Sequence, residues 1–178
     1  MSLEFNLFEK PSSQLINIYQ NKLPNKIVDF WREYGFGSFL KGYLKVVNPK
    51  DFKYVLAESY LPQYENPIVM FATGMGDLIV WENNYTILVD YRHGISKVIE
   101  SGFKYFLEDI NDTDFLEEEL NWLPYESARE KLGDLAYDEC YGYVPILAAG
   151  GAEKVRNLQK VKLKEHIAII TELAGQVE

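Results

Sequence analysis

The chain has 178 residues, of which 47% are hydrophobic, 15% aromatic and 25% charged, and its formal net charge is −9. This length suits one compact domain or two small packed ones, and the composition is that of a globular protein rather than a disordered one. The acidic excess argues against nucleic acid as a partner, because gripping phosphate backbones requires a basic surface. We therefore expect a folded acidic protein that binds no nucleic acid.

The chain contains a single cysteine, Cys140, and two histidines, His93 and His166. One cysteine cannot form an intramolecular disulfide, and no Cys and His cluster has the spacing of a zinc site. The first residues lack the basic start and apolar run of a signal peptide, and no stretch approaches the ~18 apolar residues of a membrane span. We expect a cytoplasmic protein with no metal, no cofactor and no membrane partner.

The first forty residues are predicted to be helical. Ser12 can cap a first helix, and Pro24 suits the start of a second. The second helix carries apolar residues at i, i+3, i+4 and i+7, which places them on one face: Ile27, Phe30, Trp31 and Tyr34. Gly35 is a natural helix stop. An extended segment over 37–47 and a short helix over 51–60 follow.

The middle of the chain predicts a meander of antiparallel strands over 68–71, 77–81 and 85–91, which are rich in Ile, Val and aromatic residues. In the third strand alternate residues make one face apolar and the other mixed. We expect that strand to bury one face and to leave the other half-polar.

The last third of the chain predicts two helices separated by Pro124, a short strand over 141–148 and a final helix ended by Gly175. The fold class is therefore α+β, with an antiparallel or mixed central sheet and N-terminal and C-terminal helices packed around it.

Most of the negative charge lies in one segment. Residues 100–139 contain thirteen acidic residues and three basic ones, and seven of the twelve residues over 108–119 are acidic. A solvated helix face would explain such a run, and the helix dipole accounts for two of its carboxylates. A docking surface for a basic protein would also explain it, because complementary charge speeds association. The candidate partner-binding residues in this segment are Asp109, Asp112, Asp114, Glu117, Glu118 and Glu119.

A second candidate surface mixes aromatic and acidic side chains, which is typical of the rim of a protein interface. Its candidate partner-binding residues are Tyr137, Asp138, Glu139 and Tyr141.

Patterns of catalytic or metal-binding residues are weak in this sequence. Cys140 follows two acidic residues, which raise rather than lower a thiol pKa. The aspartates over 109–114 lack calcium-loop spacing, because Leu123 stands where the loop needs a glutamate. The glycine clusters lack phosphate-binding context and predict turns with positive φ. We expect no catalytic residues and no enzymatic activity.

Two sets of motifs resemble known families. In the first half these are Leu23-Pro24, Phe30-Trp31, Tyr34-Gly35-Phe36-Gly37, Asn48-Pro49 and Met75-Gly76-Asp77-Leu78, and they resemble the GAD-like domain. In the second half these are Tyr141-Gly142-Tyr143-Val144-Pro145, Leu147-Ala148-Ala149-Gly150-Gly151 and Asn157-Leu158-Gln159-Lys160-Val161-Lys162. They resemble the C-terminal domain of a family of type VI secretion immunity proteins. The Tyr-Gly-Phe-Gly element is also similar to the SUKH superfamily of bacterial immunity proteins.

The resemblance implies a GAD-like region over 1–100 and a type VI immunity C-terminal region over 101–178. Since no linker separates them, we expect one continuous compact unit. The resemblance also implies a non-enzymatic immunity protein that binds and neutralises a cognate secreted bacterial toxin, a DNA-degrading one in characterised relatives. Two other classes remain open: a small-ligand sensor or enzyme with a pocket between sheet and helices, and a housekeeping interaction module.

Overall fold

The architecture is a long antiparallel meander with helices on both of its faces. The computed structural model describes residues 4–178. In chain order the elements are β1 (Asn6–Glu9), α1 (Ser13–Tyr19), α2 (Asn25–Glu33), β2 (Phe36–Phe39), β3 (Leu44–Val46), α3 (Pro49–Ser59), β4 (Ile68–Thr73), β5 (Leu78–Glu82), β6 (Tyr85–Asp90), β7 (Ile95–Ser101), α4 (Phe106–Asp109), α5 (Thr113–Leu120), α6 (Pro124–Leu132), β8 (Glu139–Tyr143), β9 (Leu158–Lys162) and α7 (Leu163–Ala174). Strands β1 to β7 pair in chain order, and β8 pairs with β9 in a separate sheet. The predicted α+β class with an antiparallel sheet is confirmed.

The N-terminal helices follow from local signals. The Ser12 hydroxyl accepts a hydrogen bond from the backbone N–H of Leu15 at 3.1 Å, which caps α1. Pro24 stands at the cap of α2, and Gly35 follows the helix with a φ of +90°. The apolar stripe of α2 faces the core, with Ile27 and Trp31 completely buried.

The prediction of helix throughout the first forty residues is wrong at β1. β1 is an edge strand with all four residues exposed, so it has no apolar alternation that would mark it in the sequence. The predicted extended segment over 37–47 is a hairpin instead, in which β2 and β3 pair around a turn. Two non-glycine residues with positive φ, Leu40 and Lys41, form that turn.

The three predicted middle strands are present as β4, β5 and β6, but the half-polar face expected for β6 is buried. Leu88 packs in the core on one side of the sheet, together with residues of α1, α2, α4, α5 and α6. Its neighbour Val89 packs on the opposite side, where α3 and α7 cover the sheet. A sheet with helices on both faces buries both sets of alternating residues.

In the last third, α5, α6 and α7 match the predicted helices, with Pro124 in the first turn of α6 and Gly175 after α7. The predicted strand over 141–148 is shorter and shifted, because β8 covers Glu139–Tyr143. Strands β7 and β9 were not predicted. Several side chains in each are exposed, so neither shows the apolar pattern of a buried strand.

Both halves of the chain contribute to both cores. On one side Phe71 and Phe106 pack with their ring centroids 5.3 Å apart. On the other side Cys140 and Ile167 belong to the same buried cluster as Leu78. The division at residue 100 stays a prediction.

Because both faces of the sheet are buried, truncation of a leucine on either face should lower the free energy of unfolding by a similar amount. Leu88→Ala and Leu78→Ala empty opposite cores, and each should lower the free energy of unfolding by about 2–5 kcal/mol. Leu173→Ala is the matched control, since this α7 leucine is 64% exposed and should cost less than about 1 kcal/mol. Urea unfolding measures all three, and a small cost at either sheet leucine would contradict the two-sided core.

Candidate partner-binding surface

Helix α5 carries the centre of the acidic segment. Asp112 caps it, since Oδ1 accepts a hydrogen bond from the backbone N–H of Asp114 at 2.9 Å. Leu116 and Leu120 are buried and hold the inner face of the helix against the core. The candidate carboxylates lie outside this inner stripe. Asp112, Asp114 and Glu118 are exposed, whereas Asp109, Glu117 and Glu119 are half-buried.

Few of these carboxylates are neutralised by the protein itself. Glu119 pairs with Lys97 of β7 at 3.1 Å, and the neighbouring Glu108 pairs with Lys26 at 3.5 Å. Within residues 4–178, no cationic group forms an ion pair with the remaining five candidates: Asp109, Asp112, Asp114, Glu117 and Glu118. These five carboxylates, called the acidic face below, form an unneutralised negative surface.

A buried ion pair fixes the C-terminal end of α5 to the sheet. The Arg92 guanidinium donates to Asp77 Oδ2 from Nη2 at 2.6 Å and from Nε at 3.0 Å. Both side chains are at most 2% exposed. The guanidinium also donates to the Asn121 carbonyl at 3.2 Å and lies 3.4 Å from the Leu120 carbonyl. A cation at these final carbonyls satisfies groups that the helix leaves unpaired and complements its dipole.

A second ionic chain lies beside this pair and crosses the turn after β6. His93 bonds to Asp90 Oδ2 through Nδ1 and to Glu153 Oε1 through Nε2, each at 2.7 Å. Asn121 at the end of α5 donates to the same Asp90 oxygen at 2.8 Å. The hydrogen bond to Asp90 raises the pKa of His93 to about 9, so the imidazole is charged at neutral pH. These contacts through His93 and Asp90 join the turn after β6, helix α5 and the loop at residue 153.

The second candidate segment is largely occupied by contacts within the protein. Tyr137 stacks on Phe8 with ring centroids 4.1 Å apart, and its hydroxyl donates to the Val46 carbonyl at 2.7 Å. Asp138 is exposed but pairs with Lys162 at 2.8 Å.

The remaining two candidates of this segment are less accessible. Glu139 is half-buried, and its carboxylate accepts from the Ala136 N–H at 2.9 Å. Tyr141 is completely buried, with its hydroxyl donating to the Gly133 carbonyl at 2.5 Å. The interpretation of Tyr141 as a rim residue is therefore wrong, because β8 places it in the core.

The two candidate segments dock on different parts of the large sheet. Tyr137 contacts β3 through Val46, whereas α5 contacts β7 through Lys97. Three strands lie between β3 and β7. Of the two candidate segments, the acidic face carries the carboxylates without a cationic partner, and the segment around Tyr137 lies apart from it.

Catalytic and metal-binding alternatives find little support in the geometry. Cys140 is completely buried, and burial raises the pKa of its thiol to about 12. Among residues 4–178, no group of three or more His, Cys, Asp or Glu side chains could hold a metal ion. Within the same residues, no helix has the length and apolar character needed to cross a membrane.

The small-ligand class has one matching feature, a cleft of about 840 Å³ between α3 and the start of β4. Its volume is that of a ligand pocket. Its charged lining residues are Lys22 and Lys53, and no carboxylate or histidine of the described residues lines it. The cleft therefore offers no carboxylate or imidazole for acid–base chemistry, and ligand binding there stays a prediction.

Sequence reasoning missed the ionic groups that position the acidic face: Asp77, Arg92, Asp90, His93 and Glu153. An arginine directly after an apolar strand was the available signal, since a charge beside buried residues needs a partner. The partner was not readable, because Asp77 and Glu153 lie far along the chain from the residues they bind.

The chain belongs to the GAD-like domain family, whose model matches residues 4–92. Residues 100–174 match the family model of the C-terminal part of the T6SS immunity protein Tdi1. The two predicted families and their order are confirmed, and the second match supports an immunity role for the chain. The similarity to the SUKH superfamily stays a prediction.

A solved structure shares the fold. The crystal structure of Atu4351 from Agrobacterium tumefaciens superposes with a TM-score of 0.72 over 94% of this chain and 85% of that one, at 21% sequence identity. At this identity the likeness concerns the fold alone. No curated protein sequence matches the chain.

The ionic chain through His93 predicts a pH-dependent stability. The pKa of His93 rises from 6.5 in the unfolded chain to about 9 in the folded protein. Its stabilisation is therefore complete below pH 6.5 and is lost as the pH rises through 9. Relative to His93→Gln, the free energy of unfolding should fall by about 1–3 kcal/mol between pH 6 and pH 9.5.

Urea unfolding of both proteins across this pH range measures the difference. Subtracting the stability of His93→Gln from that of the unaltered protein cancels the contribution of groups that titrate in both proteins. Lys45 is one such group, since burial lowers its pKa to about 8. Parallel stability curves for the two proteins would contradict the charged state of His93.

Proposed function

We propose that the protein neutralises a cognate secreted toxin by binding it directly in the cytoplasm, without chemistry of its own. In this proposal the acidic face meets a basic, DNA-degrading toxin domain. The observation that carries the proposal is that the unneutralised carboxylates lie in the region that matches the T6SS immunity domain.

The charge of the surface suits a nuclease as the partner. A protein that cleaves DNA must present a cationic groove to the phosphate backbone. A carboxylate-rich surface is attracted to such a groove and can occlude it. Attraction between opposite surfaces also raises the rate of encounter, and like charge excludes wrong partners.

The placement of charge supports binding rather than catalysis. The ionisable groups nearest α5 are engaged with each other: Asp77 with Arg92, and His93 with two carboxylates. In this arrangement both nitrogens of His93 hold other parts of the protein in place. The five carboxylates of the acidic face have no cationic partner within residues 4–178 and lie close together in the chain, which suits contact with a basic partner.

Reversal of the acidic face should slow toxin binding. The triple variant Asp114→Lys, Glu117→Lys and Glu118→Lys keeps the cap at Asp112 and the ion pair of Glu119. We expect its association rate with the cognate toxin domain to fall at least about ten-fold at low salt. Stopped-flow mixing over a range of salt concentrations measures this rate. In cells that express the toxin, the unaltered protein should restore growth and the triple variant should restore it poorly.

A matched control carries three reversals on the opposite side of the sheet or away from α5, at Glu58, Glu65 and Glu172, all of them exposed. Each reversal adds two positive charges, so both triple variants move from a net charge of −9 to −3. Equal association rates for the two triple variants would contradict a role of the acidic face in toxin binding. Failure of the unaltered protein to restore growth would contradict the immunity function.

A further inference from the structure

A groove of about 370 Å³ opens beside the C-terminal end of α5. One wall comes from the junction of α5 and α6, and the other comes from β8 and the loop that carries Glu153. Its lining includes Glu117, Leu123, Pro124, Tyr143, Glu153 and Val155. The groove therefore continues the acidic face into a concave site.

Tyr143 brings to this groove a hydroxyl that no other group of residues 4–178 engages. The residue is 2% exposed, and its hydroxyl forms no hydrogen bond within that part of the chain, unlike that of the completely buried Tyr141. The hydroxyl keeps contact with solvent, since among the described residues the fully buried side-chain polar atom without a partner is Trp31 Nε1. Burial of Tyr143 and the nearby Glu153 carboxylate both raise the pKa of its phenol, which agrees with a hydroxyl on the Glu153 side of the groove. This hydroxyl can therefore donate to or accept from an occupant of the groove.

The remaining polar groups of the groove favour a cation. Glu117 has no cationic partner among the described residues. Glu153 pairs through Oε1 with the charged imidazole of His93, and no group of residues 4–178 bonds to its other oxygen, Oε2. The guanidinium of Arg92 does not compete for them, because it is taken by Asp77 and by the carbonyls at the end of α5. The C-terminal end of a helix also attracts positive charge.

The groove also offers apolar surface to an occupant. Leu123 is 65% exposed at the start of α6, so its side chain is accessible to an occupant of the groove. Pro124 and Val155 extend this surface along the groove. An occupant with a charged head and an apolar stem would cover these residues while its head meets the carboxylates.

We infer that the groove between the α5–α6 junction and Glu153 receives an arginine side chain of the basic partner. Its guanidinium donates to the Glu117 and Glu153 carboxylates and to the Tyr143 hydroxyl, and its stem lies on Leu123 and Pro124. Arginine fits better than lysine because its planar head has five donors and can bridge two carboxylates. This inference rests on the proposed function, for which it names the anchoring contact.

The first test uses a defined probe and does not need the toxin. The blocked tripeptide Gly-Arg-Gly is titrated into the ¹⁵N-labelled protein, followed by the same peptides with lysine or with neutral citrulline. Arginine should give saturable shifts at the amides of Asn121, Leu123 and Val155, lysine weaker ones and citrulline none. Equal shifts with citrulline, or arginine shifts spread over the whole acidic face, would overturn the inference.

The second test uses variants that keep the shape of the groove. Glu117→Gln with Glu153→Gln should abolish the arginine shifts and speed dissociation from the toxin domain at least about ten-fold, and Glu117→Gln alone should give a smaller change. The matched control, Glu130→Gln with Glu172→Gln, removes two exposed charges elsewhere and should leave the dissociation rate unchanged. A wild-type dissociation rate in the groove variants overturns this inference and leaves the proposed function standing. If the unaltered protein does not bind the toxin domain, both are overturned.

Discussion

The buried ion pair between Asp77 and Arg92 is the contact on which the placement of the acidic face depends. Asp77 lies in the turn before β5, and its Oδ1 accepts from the Tyr91 N–H at 3.1 Å, while Oδ2 holds the guanidinium. The same guanidinium reaches the final carbonyls of α5. One arginine thus joins two turns of the sheet to one end of the acidic helix. Loss of either charge would leave the other buried and unpaired, which costs about 3–5 kcal/mol.

Such a pair gives little net stability, since desolvation offsets much of its attraction. Its main contribution here is to fix the position of helix α5 relative to the sheet. Helix α5 is short, and repulsion among its carboxylates opposes its formation. Its inner leucines supply burial, but apolar contacts are not directional. The hydrogen bonds from Arg92 and from Asn121 to Asp90 define where the helix ends and therefore where its carboxylates and the adjoining groove lie.

The local features of this fold were readable from the sequence, and the long-range ones were not. Ser12, Gly35 and Gly175 mark helix ends through backbone chemistry that needs no distant partner. The apolar strands β4 to β6 were equally clear. Edge strands β1 and β7 were not, because exposed strands lose the apolar pattern. The second buried face of β6 depends on α3 and α7, which lie far away in the chain.

The candidate site likewise has local features that could be predicted from the sequence and long-range features that could not. Charge density identified the acidic face, since a run of carboxylates is visible in one segment. The sequence could not separate it from the segment around Tyr137, because the distance between them depends on strand order. Nor could it place Tyr141 in the core, where its N–H donates to the Gly74 carbonyl at 2.7 Å. The groove at Tyr143 joins four separate parts of the chain and has no sequence signature.

Hydrogen exchange in the variant Arg92→Met tests whether Arg92 holds the acidic helix in place. The variant keeps most of the side-chain length but cannot bind Asp77 or the end of α5. Exchange at the amides of residues 116–122 should accelerate at least about ten-fold, while amides in α3 and α7 on the other side of the sheet should change much less. Unchanged protection over 116–122, or an equal loss across the whole protein, would contradict this role of Arg92.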